Sequence, residues 1–205
     1  MDTGGTEALA VGAAACVIAA GLVLARLHLL PSDLHPARDA VSDYGATRHH
    51  LYYRALVVLL GAGAGLLVVV LARDGHAGDR GLVFLGVFAA TRLAIAGFMT
   101  DRSGRRPTRA GRVHLVLAAA AFTTIAFAAN DITGSLVGSA NWSGGVAGPL
   151  RFAARAVAVT AVFTAVAYLT PAVRHHVFGM LERLLYVAMI AWLLIAALHV
   201  VVLAG

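Results

Sequence analysis

The chain has 205 residues, of which 60% are hydrophobic and 13% charged, with a mean hydropathy of +0.83. That balance excludes a separate water-soluble domain, because the gaps between apolar stretches reach only about 20 residues, too few to bury a core. The net charge of +6 is carried entirely by arginine. Most of these arginines sit in short connections with no aromatic platform between them, which argues against nucleic acid as a partner.

Six apolar stretches predict an all-α, polytopic membrane protein: a six-transmembrane-helix bundle forming one integral membrane domain over residues 1–205. The first span runs from Ala8 to Leu30. Its flank, Met-Asp-Thr-Gly-Gly-Thr-Glu, is acidic where a signal peptide is basic, so a retained helix is expected. Cys16, the single cysteine, rules out an intramolecular disulfide and a cysteine-based zinc site. Pro31-Ser32-Asp33 and His35-Pro36 end this helix, and Val41-Ser42-Asp43-Tyr44-Gly45 follows, with Ser32 or Ser42 placed to cap a short interfacial helix.

The second span, Tyr53 to Ala72, contains Gly61-Ala62-Gly63-Ala64-Gly65, a spacing that lets membrane helices approach closely. Packing within the bundle is the first explanation and a homo-oligomer through this helix the second. The third span, Gly81 to Thr100, carries Arg92 about eight residues from its end, or about 12 Å deep. A guanidinium at that depth calls for a partner or a water-filled cavity, and Asp39, Asp43 and Glu182 are the expected partners.

Five arginines crowd the next connection: Arg102, Arg105, Arg106, Arg109 and Arg112. The fourth span, Val113 to Ala129, opens with His114. A Gly- and Ser-rich connection follows, in which Trp142 is expected at the membrane interface and Asn141-Trp142-Ser143 is a chance match to a glycosylation acceptor. The fifth span is Phe152 to Leu169. The sixth, Leu181 to Leu203, opens with Glu182-Arg183 and carries His199 near its far end.

Positive loops stay in the cytoplasm, which puts the arginine-rich third connection there, together with the first and fifth, and both termini outside. Arginine to the exclusion of lysine, with abundant Ala, Gly and Val, is the codon bias of a GC-rich bacterial genome. The expected location is therefore the bacterial inner (plasma) membrane, multi-pass, with membrane lipids and anionic headgroups at the cytoplasmic face as partners.

On that face Arg26, His28, Ser42, Asp43, Asp101, Arg112, His114, Glu182 and Arg183 are expected to gather at helix ends. Asp101 and His114 are the candidate acid and base; Ser42, Asp43, Arg92, Arg112, Glu182 and Arg183 are the candidate ligand-binding residues. The plainer alternative is a belt of interfacial salt bridges. No metal site is expected, because His49-His50 and His175-His176 are adjacent where one helical face needs a spacing of three or four, and no cofactor motif occurs.

Three places resemble the bacterial and archaeal membrane family known as domain of unknown function 998. They are Asp39-Ala40-Val41-Ser42-Asp43-Tyr44-Gly45; Phe98-Met99-Thr100-Asp101 with Gly111-Arg112-Val113-His114; and Gly179-Met180-Leu181-Glu182-Arg183 with Trp192. They are similar to the family's Ser-containing first loop, its F-P-x-D turn with a following H, and its G-x-x-x-R opening to the last helix. Met99 stands where the family usually has proline. The resemblance implies a six-helix fold without an assigned activity. The leading expectation is a protein that binds an amphipathic or lipid-phase ligand at the cytoplasmic-side cluster. The alternatives are a membrane-embedded enzyme acting on a lipid or isoprenoid-like substrate, and an accessory subunit of a membrane complex.

Overall fold

A computed structural model describes residues 3–75, 77–98, 100–101, 108–139 and 144–204. Arg102, Arg105, Arg106, Met99 and the Asn141-Trp142-Ser143 segment lie outside the described residues. Six long helices make up the described chain: α1 (Thr3–Leu29), α2 (His50–Asp74), α3 (Asp79–Ile95), α4 (Arg109–Val137), α5 (Ala147–Leu169) and α6 (Pro171–Ala204). Short 3-10 turns at Ser42–Ala46 and Gly144–Val146 complete it.

Five of these helices, all but α3, are long and apolar enough to cross a membrane. At 17 residues α3 is about 26 Å long, short of a roughly 30 Å hydrocarbon core. It stops at Ile95, where Ala96–Gly97 turn, rather than continuing to Thr100. Arg92 is therefore three residues from its helix end, shallower along α3 than the sequence suggests.

Local chemistry accounts for the other boundaries. Gly75 adopts the left-handed conformation (φ 73°) that closes α2, with its N–H on the Leu71 carbonyl. Thr108 caps α4 by accepting the Gly111 N–H. Only Thr170 separates α5 from α6, because Pro171 is preorganised for a first helical position, so α6 begins about ten residues earlier than its apolar run.

Sequence neighbours pack as spatial neighbours, and α1 packs on α6 to close the ring. Within it, α6 reaches α2 and sends side chains to α3 and α4. The glycine stripe of α2 is used inside this bundle: a β-carbon on Gly61 would lie 3.0 Å from the Ala89 carbonyl of α3, and one on Gly63 3.2 Å from Cβ of Cys16 on α1. Large apolar side chains such as Leu22, Val116, Phe152 and Phe163 point outward around the bundle, as a lipid-facing surface requires.

Candidate functional site

The connection from α1 to α2 folds over one end of the bundle as a lid. Ala40, Val41, Asp43, Tyr44 and Gly45 are buried beneath its outer turn. Asp39 accepts the His35 N–H (2.6 Å) and Asp43 the Ala40 N–H (3.0 Å), so two of the loop's carboxylates shape the loop itself. α6 holds the lid down. Glu182 accepts the Val41 N–H at 2.6 Å, the Met180 N–H donates to the Ala37 carbonyl, and Arg183 Nη1 donates to the carbonyls of Pro36, Asp39 and Gly179 at 2.7, 2.7 and 2.8 Å. This approach needs glycine at position 179, where a β-carbon would come within 2.3 Å of the Asp39 carbonyl oxygen.

Under the lid is a polar chamber. Arg92 is 1% exposed, and its guanidinium carbon lies 4.9 to 5.3 Å from the ring centroids of Phe88, Phe122 and Tyr186. Nη1 donates to the Tyr186 hydroxyl at 3.0 Å, Nη2 lies 3.8 Å from Met189 sulfur, and Nε has no partner. The expected acidic partner is thus replaced by an aromatic cage: within the described residues no carboxylate hydrogen-bonds to Arg92, and Asp39 and Glu182 turn to lid amides instead. Ring quadrupoles and a tyrosine hydroxyl stabilise the cation at this desolvated position.

Tyr53, in the first turn of α2, adjoins the Tyr186 hydroxyl and packs beside His114, with ring centroids 6.2 Å apart. His114 is 3% exposed. Its Nδ1 lies 2.9 Å from the Phe98 carbonyl, so that nitrogen carries the proton, and Nε2 is left as a buried acceptor without a partner. Asp101 has a different task. Its carboxylate accepts the Thr108 N–H (2.7 Å) and hydroxyl (2.8 Å), tying the α3–α4 connection to the cap of α4.

Of the sequence-predicted residues, Asp43, Arg92, His114 and Glu182 come together beneath the lid. Ser42 begins the 3-10 turn and is half-buried, Arg183 clamps the lid from its outer side, and Arg112 is exposed on the first turn of α4, away from the chamber. Asp101 is half-buried in its turn, near enough to His114 to act on it electrostatically. Tyr53, Tyr186 and Phe122 were not anticipated. Glu182, Tyr186 and Met189 share one face of α6 at spacings of four and three, the one sequence signal that points to this wall.

Beside the lid, a groove of about 420 Å³ opens between α1 and α6. Gly21, Leu24 and Ala25 form one wall and Val187, Ile190 and Ala191 the other, while His28 and Arg183 stand at its polar end. A much smaller crevice, about 10 Å³, lies against Tyr53 and Gly45, room for one water. No group of three or more His, Cys, Asp or Glu is placed to hold a metal ion among the described residues.

The family of proteins of unknown function DUF998 has a model that matches residues 10–199. The chain belongs to this DUF998 family. No curated protein and no solved structure matches it. Two of the three places that resemble the family have defined tasks here. Gly179, Glu182 and Arg183 dock the lid, while Asp101 and His114 fasten the α3–α4 turn to α4 and to Phe98.

Proposed function

We propose that this protein binds an amphipathic, lipid-phase ligand at the lid end, with the tail in the α1–α6 groove and the head at His28 and Arg183. The groove carries the reading: it joins an apolar trough, open at the bundle's side, to hydrogen-bonding groups at a single end, the shape an amphiphile complements. Native mass spectrometry of the purified protein with membrane lipid extract tests it. A bound lipid-sized species is expected, and Ala191→Trp, which fills the groove, is expected to remove it. A bound species indifferent to that substitution would overturn the reading.

One observation favours a second reading, acid–base chemistry on a lipid or isoprenoid-like substrate. The buried His114 Nε2 is a base without a hydrogen-bond partner among the described residues, and its ring packs beside that of Tyr53. Turnover of a lipid by the purified protein, lost in His114→Ala while the fold persists, is its signature.

The finer localisation belongs to the same proposal: a bacterial inner membrane protein of six spans, α3 included, with the lid end cytoplasmic and both termini outside. The close packing of α3 along α2 and α4 supports the sixth crossing. Cysteines introduced at positions 104 and 140 report the orientation. Impermeant reagent on intact cells is expected to reach 140 and miss 104, and the reverse result would invert the threading.

A further inference from the structure

We propose that the amphiphile of the α1–α6 groove carries an acidic head group, a phosphate or a carboxylate, received by the guanidinium of Arg183 beside His28. The inference rests on the groove reading above and specifies the chemistry of the head. A count of donors carries it. A guanidinium offers five N–H groups. Arg183 sets Nε on His28 Nε2 at 2.7 Å and Nη1 on the carbonyls of Pro36, Asp39 and Gly179, so three hydrogens serve four neutral acceptors. Nη2, shielded from solvent, has no hydrogen-bond partner among the described residues.

Among the described residues no carboxylate forms a salt bridge with this cation, although Glu182 lies near enough to act on it electrostatically. Glu182, the adjacent residue, turns its carboxylate to the Val41 N–H, and Asp39 offers Arg183 its carbonyl while its carboxylate binds the His35 N–H. His28 is arranged to accept: its Nδ1 lies 2.7 Å from the Leu24 carbonyl and therefore carries the proton, leaving Nε2 for Arg183. The end of the groove thus has a positive charge, two unfilled donors held behind the loop and an apolar trough running from them. An oxyanion on a hydrocarbon tail matches all three, since a planar guanidinium edge pairs with two oxygens of a phosphate or carboxylate. To reach Nη2 the head parts the loop from the helix, so binding exchanges neutral carbonyl acceptors of the lid for a charged one.

The test uses the full chain in phosphatidylcholine nanodiscs and four probes sharing one oleoyl tail: oleate, lysophosphatidic acid, lysophosphatidylcholine and monoolein. Both acids are expected to bind about tenfold more tightly than monoolein, the margin of one charge-assisted hydrogen-bond pair. Their order tells carboxylate from phosphate. Arg183→Gln is expected to erase the margin, and Ala191→Trp to abolish binding of all four. Monoolein binding as tightly as the acids, or an acid preference that survives Arg183→Gln, would overturn the head assignment and leave the groove reading standing. Unchanged binding to Ala191→Trp would overturn both. If Arg183→Gln fails to fold, the four-probe comparison on the unaltered protein decides alone.

Discussion

The two ends of the bundle solve the same problem, closing a ring of helices, with opposite chemistry. At the lid end, Arg92, His114, Glu182 and Asp43 are buried together, and three nitrogens, Arg92 Nε, His114 Nε2 and Arg183 Nη2, have no hydrogen-bond partner among the described residues. At the far end, polar groups both buried and exposed are matched. Trp192 donates to the Thr133 hydroxyl at 3.0 Å, Gly78 N–H to Ser135, and Arg80 grips Asp131 through two hydrogen bonds. A satisfied polar group serves stability, whereas an unsatisfied one in a buried place marks where a structure departs from its own optimum. The far end holds the bundle together; the lid end is where the proposed ligand would find groups to bind.

The largest break in this contrast is expected from Gly179→Val. Its side chain has no space against the Asp39 carbonyl, so the bonds from Arg183, Glu182 and Met180 to the lid are lost together, on the order of 4 kcal/mol or roughly a thousandfold in lid opening. Val41→Cys in a Cys16→Ser background reports it through alkylation rate. Slow labelling in the Gly179→Val protein would show that the lid is held by something else.

Arg92 sharpens the comparison next. Arg92→Ala leaves a void between three rings and is expected to cost about 3 kcal/mol of thermal stability. Arg92→Met fills much of the same space without a charge to desolvate, so its melting temperature is expected to stay level or rise while ligand binding or turnover falls. A fall in stability for Met equal to that for Ala would mark the guanidinium as structural.

At the far end the effects are smaller and confined to stability. Trp192→Phe strands the Thr133 hydroxyl and is expected to cost about 1 kcal/mol, with labelling of the lid unchanged. Arg80→Gln, at an exposed ion pair, is expected to shift the melting temperature less than Trp192→Phe. A change in ligand binding from either substitution would remove the division between the two ends.

The helices were legible because apolar run length is a direct consequence of membrane thickness, and five of the six runs lie in helices able to cross. The ends were less so. Nothing in the run Gly81 to Thr100 announces the turn at Ala96, and Pro171 was passed over as loop although its fixed φ starts a helix. In the site, charge drew the eye to Arg92, Glu182, Asp43 and His114, and the fold does bring these together. The expectation of an ion pair failed because it considered carboxylates alone, while Phe88, Phe122 and Tyr186 supply electron-rich faces from three helices. Asp101 was read as a candidate acid, and its oxygens accept the N–H and hydroxyl of Thr108, a tie that the sequence does not announce. The groove could not be read at all, since Gly21 and Ala25 meet Val187 and Ala191 only after the chain has gone round the ring.

The length of α6 has a mechanical meaning. Its 34 residues extend about 51 Å, some 20 Å more than the hydrocarbon slab, and along this one rod stand the lid dock at Gly179, the groove wall at Val187 and the anchor at Trp192. The rod turns about 100° per residue and has no hinge glycine beyond position 179, so it behaves as a lever whose fulcrum is the indole seated on Thr133. A ligand that wedges α1 from α6 would tilt this lever, and the displacement would grow with distance from Trp192, largest where the lid is fastened.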